Sequence, residues 1–324
     1  MSRFSFQTTL PKMKCMKLQT LKYSLIVFIG GASYGIMATT LKFAYNEGFN
    51  WTQTVASQGI FGTFLFGVTL LIMMLFGKKP EKMNIKQVLK LVGTGCVGCT
   101  TSILYGYSLT MLPVAMALTL LFQFTWIGVV IQVIVTKRRP HMAELIAAVV
   151  ILGGTLFASG LAPSGYYEDI NPWGILFASL SSISCALFMF LSSKVETNMA
   201  PIQRGFFICC GSAFLGLCLC PDYFTSGILI EGIWRFGLIL GVFGLFFPVI
   251  MFGIGTPHLP TGISTIMASS ELPAGILISV LLLRENISIF QIMGILVILC
   301  GVVISQVPYI KLARNLNKHT QRKK

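Results

Sequence analysis

Ten apolar stretches of about 20 residues each run through this chain with only short polar breaks between them, so most of its surface must face lipid rather than water. The predicted spans are 22–44, 52–76, 88–111, 113–135, 141–161, 172–193, 202–220, 233–255, 259–283 and 288–307. Turn formers or charges bound them, among them Lys78-Lys79-Pro80, Leu112-Pro113, Lys137-Arg138-Arg139-Pro140, Pro163-Ser164-Gly165, Asn171-Pro172, Pro221-Asp222 and Leu259-Pro260. Only helices and closed barrels satisfy their backbone inside a bilayer, and strand-like alternation is absent. The fold class expected is therefore an all-α membrane protein with ten transmembrane helices. The first apolar run continues without an Ala-x-Ala site and reads as a span, not as a cleaved leader.

Composition removes the competing classes. Charged residues make up 10% of the chain and hydrophobic ones 55%, whereas a soluble domain carries about 25% charged residues. A water-soluble enzyme is excluded. The net charge of +14 lies in patches beside the apolar runs, as in membrane-inserted chains, and does not point to nucleic acid. Nine cysteines, an odd number sitting mostly inside apolar segments, do not make a secreted disulfide framework. Cys96 and Cys99 form a C-x-x-C without a His or carboxylate nearby to complete a metal shell, so they read as small packing residues, and no metal or cofactor is expected.

Orientation follows from the basic residues. With the N-terminus in the cytoplasm, 21 of the 24 Lys and Arg fall on the inner side, Lys194 and Arg204 among them, and only Lys42, Arg235 and Arg284 fall outside. In that register Trp51, Trp173 and Trp234 sit at the outer interface, and Trp126 falls in mid-span.

An internal repeat appears when the chain is shifted by 147 residues. Tyr105-Gly106 then falls on Phe252-Gly253, Leu112-Pro113 on Leu259-Pro260, Gly128 on Gly275, Lys137 on Arg284, and Leu152-x-Gly154 on Leu299-x-Gly301. Five helices per repeat is an odd number, so the two halves are expected to cross the bilayer in opposite senses, the mark of secondary transporters. The boundaries expected are a cytoplasmic tail over 1–21, repeats over 22–161 and 172–307, and a basic cytoplasmic tail over 308–324.

Thr40-Leu41-Lys42 at the end of the first span, Ser270-Glu271-Leu272-Pro273-Ala274-Gly275, Leu283-Arg284-Glu285-Asn286 and the Gly294 to Gly301 run resemble the drug/metabolite transporter superfamily, EamA branch. The resemblance covers about residues 22 to 307. It implies two five-helix halves around a central cavity and a carrier, commonly an exporter, of amino acids or other small metabolites. One departure is that the Arg often found early in the second helix is Gln58 here.

Glu271 is the one acidic residue near the middle of an apolar span, and a carboxylate facing lipid costs about 2.5 kcal/mol or more. It is expected to face a cavity or a partner. Helical spacing puts it on one stripe with Ser264, Ala268 and Gly275, and its repeat counterpart is Phe124. Ser270 lies beside it. Gln123 and Trp126, with Thr125, join Tyr105 and Tyr107 in a mixed aromatic and polar set suited to an amphipathic solute. Each could equally serve ordinary helix packing, and Lys42 and Lys194 read as snorkelling helix ends. Gly31-x-x-x-Gly35 and Gly237-x-x-x-Gly241 favour close helix approach, and Pro248 local bending. Sequons at Asn50-Trp51-Thr52 and Asn286-Ile287-Ser288 read as chance matches.

An intramembrane enzyme is the rival class. Gly31-Ala32-Ser33-Tyr34-Gly35 fits G-x-S-x-G, but His141, His258 and His319 lie at helix ends or in the tail, too far along the chain pattern to serve Ser33 as a base. A structural membrane subunit would have no need of a mid-span acid. The reading is a non-enzymatic, ten-helix secondary carrier of a small organic metabolite such as an amino acid, directed outward by resemblance. It is placed in the plasma or inner membrane, with Glu271 as candidate site of proton coupling.

Overall fold

The computed structural model describes residues 6–77, 79–112, 114–137, 140–158, 171–283 and 288–321. The expectations placed on Lys78, Pro113, Arg138-Arg139, Pro163-Ser164-Gly165 and Arg284-Glu285-Asn286 lie outside the described residues.

In the first half the helices are α1 (Phe6–Asn46), α2 (Trp51–Leu75), α3 (Ile85–Ser108), α4 (Val114–Leu121), α5 (Phe124–Thr136) and α6 (Met142–Ala158). In the second they are α7 (Pro172–Lys194), α8 (Pro201–Leu219), α9 (Ile228–Glu231), α10 (Ile233–Gly241), α11 (Phe247–Gly255), α12 (Thr261–Ala268), α13 (Glu271–Leu283) and α14 (Ile289–Gln321). No strand occurs among the described residues. Among the described residues eight helical segments are long and apolar enough to cross a membrane. The fifth predicted span is the apolar helix Met142–Ala158 within the described residues. The ninth, predicted as one helix over 259–283, is two helices broken at Ser269-Ser270, and the fourth, predicted over 113–135, breaks at the equivalent Phe122-Gln123.

Local chemistry sets several helix ends. Asn50 caps α2, accepting from Gln53 N at 3.2 Å while Gln53 Oε1 accepts from Asn50 N at 2.9 Å. The side chain of this sequon asparagine is thus committed to a helix cap. Asn171 caps α7 by accepting from Trp173 N, with Pro172 in the first turn.

Helix boundaries repeat residue for residue at the 147-residue shift. The end of α4 at Leu121 returns as the end of α12 at Ala268, the start of α5 at Phe124 as that of α13 at Glu271, the end of α3 at Ser108 as the end of α11 at Gly255, and the start of α6 at Met142 as that of α14 at Ile289. Packing obeys the same exchange. α2 packs on α8 and α6 on α14; α3 on α7 is answered by α10–α11 on α1, α3 on α8 by α2 on α10, and α7 on α4–α5 by α1 on α12–α13. Contacts also fix direction. α3 starts where Gln87 donates to Glu196 and ends where Gly106 meets Trp51. α10–α11 starts where Arg235 pairs with Glu47 at 2.9 Å and ends where His258 stacks on Tyr23. These two loop-bearing ends are opposite, so the third helices of the halves run antiparallel.

Small residues permit the closest approaches. A Cβ on Gly35 would sit 2.5 Å from Gly275 N, and one on Gly31 2.7 Å from the Ala268 carbonyl, so α1 lies directly on the α12–α13 break. Between α10 and α11, Val242–Phe246 forms a π-helical turn ahead of Pro248. Pro248 cannot donate to the carbonyl four residues back, Gly244. Gln58 Nε2 donates to that oxygen at 3.2 Å, and Ser33 Oγ reaches the adjacent Phe243 carbonyl at 3.5 Å.

Arg204 departs from expectation. It was predicted as an inner-loop cation but lies in α8, 2% exposed, with its guanidinium donating to the carbonyls of Ser192, in the last turn of α7, and Gly253 in α11. Helix-end carbonyls lack intrahelical donors, and the guanidinium supplies them.

Candidate functional site

Between the halves lies a cavity of about 150 Å³. Its wall draws on α1 (Tyr34, Met37, Tyr45), α2 (Thr54, Gln58), α3 (Cys99, Tyr105), α4 (Leu118, Leu121), α7 (Cys185, Phe188, Met189) and α11 (Phe252), with Phe124 and Glu271 at the starts of α5 and α13. Tyr45, Thr54 and Leu109 carry it toward the end of the molecule where α1 finishes and α2 begins.

Of the residues expected from sequence, the structure brings Glu271, Tyr105 and Phe124 together on this wall. Glu271 stands in the first turn of α13, where the helix dipole favours a negative group. Tyr34, Tyr105 and Cys185 lie within electrostatic reach of its carboxylate. Among the described residues no hydrogen bond or ion pair engages that carboxylate.

The other expected residues lie elsewhere. The stripe through Ser264, Ala268 and Glu271 is interrupted by the Ser269-Ser270 break, and Ser264 is fully buried with its hydroxyl on the Pro260 carbonyl. Ser270 Oγ donates to the Phe28 carbonyl at 2.7 Å, pinning α1 to the break. Gln123 accepts from Trp126 Nε1 at 2.7 Å and donates to the Thr119 carbonyl, and the pair faces outward. Tyr107 packs its ring between Trp51 and Phe177, on the side of α3 away from the cavity. Sequence reasoning missed Gln58, Tyr34, Tyr45, Cys99, Cys185 and Phe252 as wall residues. The repeat itself held one signal, since Phe252 is the shifted counterpart of Tyr105.

A second hollow opens at the opposite end, lined by Gln132, His141, Glu144, Lys194, His258 and Thr261 among others. A tight seam of α5 on α12 separates it from the cavity. Thr265 Oγ1 donates to the Thr125 carbonyl at 3.1 Å, Gly128 packs flat on Thr265, and Gln132 Oε1 accepts from Gly262 N at 2.7 Å while its Nε2 donates to Glu144 at 3.2 Å. Under the exchange of halves this seam should recur between α4 and α13. Those helices instead make no comparable contact, and both face the cavity.

Two stretches, residues 21–160 and 172–306, match the model of the EamA-like transporter family. The chain belongs to the EamA-like transporter family. With it comes the drug/metabolite transporter superfamily and a two-repeat membrane architecture, and the apolar helices make this EamA-like chain an integral multi-pass membrane protein. It is 27% identical over 157 residues to an uncharacterized transporter of Archaeoglobus fulgidus, a match spanning 47% of this chain and 56% of that protein. The fold is also that of a protein of known crystal structure, with a TM-score of 0.69, 16% identity, and coverage of 88% of this chain and 98% of the other.

Proposed function

We propose that this EamA-like chain is a secondary carrier that crosses the plasma or inner membrane ten times in two inverted five-helix repeats, with both termini cytoplasmic. It exports a small organic solute by alternating access, with substrate contacts centred on Glu271, Tyr105 and Phe124. The supporting observation is a failure of the packing symmetry at the cavity: α5 is sealed on α12, whereas α4 and α13 stand apart around it. Exchanging the roles of the halves would part Thr125 from Thr265 and bring their counterparts, Leu272 and Leu118, together on the other side. An apolar seal would then stand in for the hydrogen-bonded one, and a carrier needs the two states to lie within a few kcal/mol of each other.

A reversible cross-link tests this. On a background without native cysteines, Val129→Cys with Gly262→Cys is well placed, since a Cβ on Gly262 would lie 3.3 Å from Val129 Cα. In proteoliposomes loaded with amino acids, nucleosides and amphipathic amines in turn, the cross-link should stop flux and a reductant should restore it. Undiminished flux through the cross-linked protein would refute alternating access.

A further inference from the structure

We propose that the central cavity selects organic monoamines, solutes that present an ammonium group on a small aromatic or aliphatic body, over zwitterions and organic anions. The proposal deepens the carrier reading and rests on it only for the cavity's role. Four features of the wall converge. Glu271 is the one carboxylate among the described lining residues, and no Lys, Arg or His is among them. Its carboxylate has no internal donor among the described residues, so it is compensated from the cavity, by a proton or by a cationic ligand that takes the proton's place.

Gln58 adds a second acceptor. Its Nε2 is committed to the Gly244 carbonyl, and no hydrogen bond to its Oε1 occurs among the described residues, so this lining amide keeps an acceptor to offer. The rings of Tyr34, Tyr105, Phe124, Phe188 and Phe252 supply the third feature, since aromatic faces attract ammonium groups and more strongly where water is excluded. Size is the fourth. About 150 Å³ is enough for one ring and a short arm, as an apolar cavity of about that volume holds benzene. A ligand carboxylate in the same space would meet the charge of Glu271 and no cation to offset it. Tyr34 and Tyr105 hydroxyls can serve a ligand hydroxyl or carbonyl, but they do not neutralise an anion.

Three probes differing in one group each provide the test: benzylamine, phenylglycine and phenylacetate. Binding to the purified full-length protein is measured by calorimetry and by thermal shift. Benzylamine should bind at least about tenfold more tightly than phenylglycine, and phenylacetate should not bind, since a charge-assisted contact is worth about tenfold or more in affinity. Glu271→Gln should lower benzylamine affinity about tenfold or more and narrow its margin over phenylglycine. Equal or tighter binding of phenylglycine or phenylacetate, or no binding of any probe, would overturn the amine assignment, and the wild-type ranking decides this even where the variant fails to fold. Flux separates the two claims. Benzylamine that binds as ranked but enters proteoliposomes no faster than protein-free liposomes refutes the carrier reading and leaves the amine site standing. Flux of another solute with the ranking reversed does the opposite.

Discussion

The side-chain amide of Gln58 donates to the main-chain carbonyl of Gly244 at 3.2 Å, serving the oxygen that Pro248 cannot serve. Gln58 therefore carries a backbone debt of another helix. Gln58→Leu should lower stability by about 1–3 kcal/mol, the usual cost of a buried acceptor left without its donor. Pro248→Ala in the same chain should recover much of that loss, because Ala brings back an N–H. Thermal unfolding of the four variants in detergent checks this. A loss that Pro248→Ala leaves untouched would assign Gln58 to the cavity alone.

Gly35→Val should prevent a stable fold. The added Cβ would meet Gly275 N at 2.5 Å and the Ala274 side chain at 2.9 Å, and neither backbone can yield without separating α1 from α13. Size-exclusion chromatography should show aggregate. By contrast Gly93→Ala, where a Cβ meets nothing within 4 Å, should leave the elution profile unchanged.

Removing the Gln132 clip should loosen the seam. Gln132→Leu deprives Gly262 N of its acceptor and Glu144 of its donor, so α5 and α12 should part more often. A Thr265→Cys reporter, fully buried here, should then react several times faster with a membrane-impermeant maleimide added from the side of the second hollow. An unchanged rate would show that the remaining packing at Gly128 holds the seam without the clip.

Topology can be read from two positions. Single cysteines at Met83 and at Ser226, on a background without native cysteines, should label from opposite sides of the membrane, with Met83 inside. Labelling from the same side would contradict the antiparallel third helices.

Periodicity and the 147-residue shift made most of the fold legible, because apolar length and turn chemistry are local quantities. The breaks in the fourth and ninth spans were not read, since an apolar stretch interrupted for one turn keeps its mean hydropathy. Arg204 was misplaced for a related reason. Charge counting assigns cations to loops, while the carbonyls that hold Arg204 belong to helices remote in sequence. Glu271 was legible because an acid in mid-span is costly wherever it points. Trp126 and Tyr107 were grouped with it by depth alone, and depth does not tell which side of a helix looks inward.

Fusing two copies of a helical unit into one polypeptide has a consequence at the cavity. Positions 124 and 271 are equivalent under the repeat and both reach the same wall, one as phenylalanine and one as glutamate. A pair of identical subunits would place two acids there or none, and two would repel across a small dry space. Gene duplication followed by divergence frees the chain from that choice, so a single polar handle can face an oily surface and give the ligand a head and a tail.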